Sequence, residues 1–351
     1  MGAGIAKCCV AVGVLRCGSA PLRALRLRRM IAPLFRLRYV PIPALLRTAR
    51  SFPLRQNPAT QYPDNDPVRW FDVTLPARIY RAYFFDLDGT VYLGDEVLPG
   101  AASTIQSLKD AGALVRYLSN NPTRTPSEYA SKLTGLGIPT VSADVITTIQ
   151  TTIWWLKNNH PNAVVFPIAE RPLIEALTAA GFVISDDPSK IDVVIASYDR
   201  TFTYAKLQIA FDALWGAGRA ILIQTNPDKY CPFPGGRGEP DAAAITAAIE
   251  ACTGVKCSAN MGKPSASLLQ AALDGTGIAI SDCLMTGDRL ATDIQMAIDA
   301  GIDAAVVFTG ETKPSDMTAE YDGVFQLNNL AELIPASVSA SLGQILRLRA
   351  G

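Results

Sequence analysis

The sequence predicts an α/β protein, with a doubly wound parallel sheet as its core and a second α/β unit inserted into that core. Three stretches predict it. Tyr83-Phe84-Phe85 reads as a short apolar strand that turns into a helix over about 101–111; Gly112 stops the helix, and residues 113–118 form the next strand. Near the C-terminus the alternation returns, with strands over 283–286 and 304–308 around a helix over about 293–300. Strand, helix and strand in that order place parallel strands side by side with helices on both faces. Between these halves, strands over 163–168, 193–196 and 220–223 alternate with helical runs such as 203–215. The junctions fall near Thr147 and Ala259, giving a core of 78–147 and 260–335 around an insert of 148–259.

Composition bounds the function. At 351 residues, 49% hydrophobic and 18% charged, the chain is long enough for two domains and too apolar for disorder. No uncharged apolar run reaches the roughly 18 residues that suggest a membrane span. Basic and acidic residues balance at 32 each, but unevenly. Residues 1–63 hold Lys7 and ten arginines with no acid before Asp64, leaving 21 basic against 32 acidic residues in the rest. So acidic a body argues against nucleic acid as the natural partner, since phosphate backbones need a basic footprint. The Arg-rich, acid-free leader resembles an organelle transit peptide. It also fits a start codon assigned too far upstream, with Met30 or a later residue as the true start, or a basic surface-binding arm. Each reading places residues 1–63 outside the fold, with a linker over 64–77 and a tail over 336–351.

The only histidine, His160, excludes His-cluster zinc sites and paired-histidine metal motifs. Its setting, Asn158-Asn159-His160-Pro161, reads as a polar helix end. Seven cysteines without a C-x-x-C pair fit a reducing compartment without disulfides. The chemistry then falls to carboxylates.

Asp86-Leu87-Asp88-Gly89-Thr90 follows the first apolar strand, and ligands in open α/β sheets bind beyond the carboxyl ends of strands. Two acids so close need a cation, or one of them protonated, and a hard ion such as Mg²⁺ suits oxygen ligands. The alternative is an acidic turn capping a helix. Gly287-Asp288-Arg289-Leu290-Ala291-Thr292-Asp293 follows a later strand; Asp288 could add a metal oxygen and Asp293 brace the loop, or the stretch could simply cap the next helix. Ser119-Asn120-Asn121 ends another strand and offers a hydroxyl and backbone amides to an anion, or else a strand cap. Gly262-Lys263-Pro264 supplies a point charge, with Pro264 able to open the next helix.

In this order, D-x-D-G-T, S-N-N, G-K-P and G-D-x-x-x-T-D, the motifs resemble the four-part signature of the haloacid dehalogenase superfamily, over roughly residues 78–335. The insert is similar to the C2-type α/β cap of subfamily IIA, the branch of p-nitrophenyl phosphatases, phosphoglycolate phosphatases, pyridoxal phosphatases and bacterial sugar phosphatases. The resemblance implies a Rossmann-like core and Asp86 as nucleophile forming an aspartyl-phosphate, with Asp88 as general acid and then base. It implies Mg²⁺ held by Asp86, the Asp88 backbone carbonyl and Asp288, with Asp293 behind them, and phosphoryl oxygens bound by Ser119, Asn120 and Lys263. The implied activity is hydrolysis of a small phosphometabolite: a sugar or polyol phosphate, phosphoglycolate or similar. Transfer to another acceptor, or a non-catalytic phospho-ligand module, stays open beside it. A cap loop with Tyr230, Cys231 and Phe233 would touch the leaving group. Pro240-Asp241-Ala242-Ala243-Ala244 departs from the family, which often carries a P-G-x-G run there. Asp241 could cap a helix from Ala242 or repel an anionic leaving group. The expected setting is cytoplasmic, or organellar if the leader is a transit peptide, with a homodimer through the cap left open.

Overall fold

A computed structural model describes residues 75–335 apart from 216–218 and 234–235. The leader, most of the linker and the tail lie outside the described residues, as do Cys8, Cys9 and Cys17. In chain order, β1 (Ala82–Phe85), the hairpin β2 (Tyr92–Leu93) and β3 (Glu96–Val97), α1 (Ala101–Asp110), β4 (Leu114–Ser119), α2 (Pro126–Gly135) and β5 (Val145–Thr147) come first. Next are α3 (Thr148–Asn159), β6 (Val164–Ile168), α4 (Arg171–Ala179), β7 (Val183–Ile184), β8 (Val193–Ala196), α5 (Tyr204–Leu214) and β9 (Ile221–Gln224). The hairpin β10 (Tyr230–Phe233) and β11 (Arg237–Pro240), α6 (Ala242–Thr253) and β12 (Cys257–Asn260) follow. The chain continues through α7 (Ser267–Leu273), β13 (Cys283–Gly287), a π-helical turn Leu290–Ile294, α8 (Gln295–Ala300), β14 (Asp303–Val307) and β15 (Phe325–Leu327).

Two parallel sheets result. The first has the order β15-β14-β13-β1-β4-β5 and the second β12-β9-β8-β6-β7. Side chains alternate across a strand, so β1 sends Tyr83 and Phe85 into one apolar layer with Ile105, Leu108 and Leu133 of α1 and α2. Ala82 and Phe84 enter the opposite layer with Leu268 of α7 and Met296 of α8. Both faces of a parallel sheet must be covered, which is why its strands read as continuous apolar runs. The second sheet is covered the same way, by α3 and α4 on one face and α5 and α6 on the other.

The registers differ from the sequence expectation in two instructive places. The helix expected from about Asp293 begins at Gln295, because residues 290–294 wind into a wider π turn: the N–H groups of Asp293 and Ile294 both donate to the Arg289 carbonyl, at 3.0 and 3.2 Å. Such turns recur at functional sites. Pro264 does not open the following helix. A turn closed by Ser265 N–H on the Gly262 carbonyl (2.9 Å) delays α7 to Ser267. His160 is the C-cap of α3, as its polar setting suggested. Among the described residues no helix is long and apolar enough to cross a membrane.

Candidate active site

The four motifs gather at the carboxyl edge of the first sheet. Asp86 is the first residue past β1, and its N–H donates to the Thr286 carbonyl of β13 at 2.9 Å. Because β13 is β1's neighbour, Asp288 arrives beside Asp86 although 202 positions separate them in the chain. Ser119 ends β4 on the other side of β1.

Carboxylate oxygens of Asp86, Asp288 and Asp293 lie within 4.8 Å of one another. Lys263 is enclosed among them: its Nζ pairs with Asp86 Oδ1 and with Asp293 Oδ1, the latter at 2.7 Å. Lys263 is 4% exposed and Asp293 fully buried. Burial alone would favour neutral lysine, but Asp293 and Asp86 outweigh it and hold the ammonium above its usual range. Three acids around one lysine leave an excess of negative charge. Burial first, and then the Asp86 charge, push both Asp288 and Asp293 up against the pull of Lys263.

The cluster fits a hard divalent cation. Asp288 Oδ2 accepts the Glu311 N–H at 2.8 Å, whereas its Oδ1 is buried with no hydrogen-bond partner among the described residues. Two glycines make room for this carboxylate: a Cβ on Gly89 would stand 2.5 Å, and one on Gly310 2.0 Å, from Asp288 Oδ2. Gly89 also has φ +84°, a backbone that side chains resist. Net negative charge, oxygen donors and an unsatisfied buried carboxylate oxygen suit a hard cation such as Mg²⁺. The seat is tight enough to test. Gly310→Ala is expected to cost roughly 1–3 kcal/mol of stability through overpacking, read from the shift in urea midpoint.

Asp88 stands apart. The third carboxylate near Asp86 and Asp288 is that of Asp293, while Asp88 is exposed at the mouth of the cleft. Although water reaches it, the protein around it limits its hydration, and this, with the Asp86 charge, raises it above the usual carboxylate range against Lys132, Arg124 and Arg289. A carboxyl biased toward its protonated form can donate a proton.

On the anion side, Ser119 Oγ accepts the Asn121 N–H at 3.2 Å and lies 3.1 Å from the Tyr129 hydroxyl. Burial pushes that phenol up to about 12, so it stays a neutral partner. The Asn120 side chain faces elsewhere: it accepts the Lys263 N–H at 2.7 Å, and its amide donates to the Lys263 carbonyl at 3.2 Å and to Asp228 at 3.0 Å. The expected part of Asn120 in holding an anion thus falls to its backbone amide, while its side chain fastens the lysine loop to the insert.

The insert closes the other side of a cavity of about 700 Å³ lined by Asp86, Ser119 and Lys263 below and by Tyr230, Cys231 and Phe233 above. Tyr230 and Phe233 are exposed at its lip, and burial pushes the half-buried Cys231 thiol up, which keeps it from acting as a nucleophile. Asp241 caps α6, its Oδ1 accepting the Ala242 N–H at 2.6 Å and the Asn226 amide at 3.2 Å. Burial raises Asp241 to about 6. Tyr129 and Gly310 carry no site signal in the sequence, and Asn226 and Asp228 only that of Thr225-Asn226-Pro227-Asp228, a polar run directly after an apolar strand.

Known proteins resemble this chain in sequence and fold. A family model described as haloacid dehalogenase-like hydrolase matches residues 83–183, and one described as HAD-hydrolase-like matches 260–333. The chain is 32% identical over 259 residues to 5'-nucleotidase YutF of Bacillus subtilis, covering 74% of this chain and 99% of that protein. It is 36% identical over 241 residues to acid sugar phosphatase of Staphylococcus epidermidis, covering 69% and 91%. The crystal structure of 4-nitrophenylphosphatase from Thermotoga maritima superposes with a TM-score of 0.67 at 32% identity, covering 72% of this chain and 96% of that one. With its motifs converging at one sheet edge and about seven-tenths of its length similar to nearly the whole of such enzymes, this chain belongs to the haloacid dehalogenase-like hydrolases.

Proposed function

We propose that this phosphatase hydrolyses small phosphometabolites, of the sugar or polyol phosphate or phosphoglycolate kind, in two displacements through an aspartyl-phosphate on Asp86. The observation that carries the reading is the pairing of Asp86 with a fully enclosed Lys263 at the floor of the cavity. In phosphoryl transfer the protein mainly positions groups and neutralises charge. Asp86 attacks phosphorus, and a carboxylate nucleophile divides one difficult hydrolysis into two easier steps. Lys263 and Ser119 hold the phosphoryl oxygens, with Tyr129 orienting the serine. Asp88, at the cleft mouth, gives its proton to the departing alcohol and then takes one from the attacking water. Asp86, Asp288 and the Asp88 carbonyl would hold Mg²⁺, which offsets the repulsion between a carboxylate and an anionic ester. Sugar phosphatase and nucleotidase relatives support the substrate class.

Phosphate release from p-nitrophenyl phosphate tests the proposal. Chelation with EDTA is expected to remove activity and added Mg²⁺ to restore it. Undiminished release in excess chelator would refute the metal assignment.

A further inference from the structure

We infer that the cavity selects phosphomonoesters whose leaving alcohol is uncharged or cationic and rejects those bearing a second anion, with Asp241 as the residue that sets this preference. The inference rests on the phosphatase reading and narrows its substrate class, setting phosphoglycolate aside.

The charges that face the leaving group decide it. Among the described lining residues only Lys263 and Arg289 are cations, and both are already paired. Lys263 holds Asp86 and Asp293, and Arg289 holds Glu311 at 3.0 Å. Among the described residues that line the cavity a second anion therefore finds no unpaired cation, the charges of Lys132 and Arg124 reaching Asp88 at the mouth. It finds acids instead, since the wall contributed by the insert carries Asp228 and Asp241. Among the described residues neither forms an ion pair: the Asp228 carboxylate accepts the side-chain amides of Asn120 and Asn226, and that of Asp241 the Ala242 N–H and the Asn226 amide. Amides satisfy a carboxylate's lone pairs and leave its charge uncancelled. The Asp241 Oδ2 takes no hydrogen bond from the described residues, although the residue is only 5% exposed.

Glu239 is not among the residues that line the cavity, and Tyr198 and Arg237 hold it on the far strand of the hairpin, so its part in this field is smaller. Helix capping does not account for Asp241 either. Ser, Thr or Asn would cap α6 comparably well without a charge. A carboxylate in a cleft with low-dielectric walls repels an anion more strongly than it would in water. Specificity built from such repulsion discriminates without adding affinity for the preferred ligand.

Three two-carbon esters isolate the effect, since they differ chiefly in leaving-group charge: 2-phosphoglycolate, 2-hydroxyethyl phosphate and phosphoethanolamine. With the full chain, Mg²⁺, pH 8 and low salt, kcat/KM for 2-phosphoglycolate is expected at least about tenfold below that for 2-hydroxyethyl phosphate, with phosphoethanolamine at or above the neutral ester. Asp241→Asn, which keeps the cap and removes the charge, is expected to raise the ratio of 2-phosphoglycolate to 2-hydroxyethyl phosphate by about fivefold or more. A wild-type ratio near one, or a variant ratio within twofold of wild type, overturns the inference. Should the variant not fold, Asp241→Ser, which also caps α6 without a charge, gives the same readout. Failure to release phosphate from any of these esters or from p-nitrophenyl phosphate would instead sink the phosphatase reading itself.

Discussion

Asp86→Asn is expected to lower phosphate release from p-nitrophenyl phosphate by roughly 10⁴-fold or more, the scale of loss when a nucleophile is removed from a covalent mechanism. The amide matches the carboxylate in shape, but its oxygen cannot attack phosphorus usefully and its nitrogen cannot accept from Lys263. The fold should survive. Lys263 keeps its 2.7 Å partner Asp293, and removing one of three crowded carboxylates relieves repulsion on the other two. Near-wild-type far-UV circular dichroism with activity lost is therefore the expected pair of results. An acid-quenched wild-type reaction should show a phosphoryl adduct by intact mass, and the variant none. Full activity in the variant would refute the assignment of the nucleophile.

How much of this the sequence revealed depends on the range of each interaction. The strands at Tyr83-Phe84-Phe85 and 283–286 are legible because a parallel strand covered on both faces must be apolar throughout. Asp86 and Asp288 are legible because each follows such a strand directly. The neighbouring positions are less so. Asp88 and Asp293 belong to the same two motifs, yet only Asp293 joins Asp86 and Asp288 in the acidic cluster. The π turn that turns Asp293 inward depends on Gly287, where a Cβ would meet the Asp293 Cβ at 2.3 Å. Spacing along the chain does not encode that contact. Tyr129 sits on the apolar face of α2, where a tyrosine looks like core until Ser119 is placed beside it. Asn120 carries a similar lesson. Its motif offers a backbone amide to an anion, while its side chain reaches 143 residues ahead to Lys263 and 108 ahead to Asp228, contacts that only the folded chain creates.

Lys263→Met carries the second large effect, because it should damage catalysis and stability together and the two can be separated by pH. Methionine keeps the length and apolar stem of the lysine, so packing changes little. Without the ammonium, the phosphoryl oxygens lose a positioned cation, and kcat/KM should fall about 10²–10³-fold, the usual cost of removing one preorganised electrostatic contact. Stability in chelator should fall by about 3–5 kcal/mol at neutral pH, since deleting one partner of a buried pair strands the other charge. Asp293, fully buried, and Asp86 are the charges stranded here. The sign of the pH dependence follows from proton binding. Burial already raises Asp293 and Asp288 above their unfolded values in the native protein, and loss of Lys263 raises them further. The folded variant then binds more protons than the folded wild type, while the unfolded chains bind equally at these carboxylates. The stability gap must widen as pH rises through the carboxylate range. It should be smallest near pH 4, below the raised range of Asp293 and Asp288, and largest near pH 8. Urea melts of the two proteins at those pH values measure it. A gap that stays constant, or narrows toward pH 8, would mean that the enclosed lysine does not balance the carboxylates around it, and the electrostatic account of the site would fail with it.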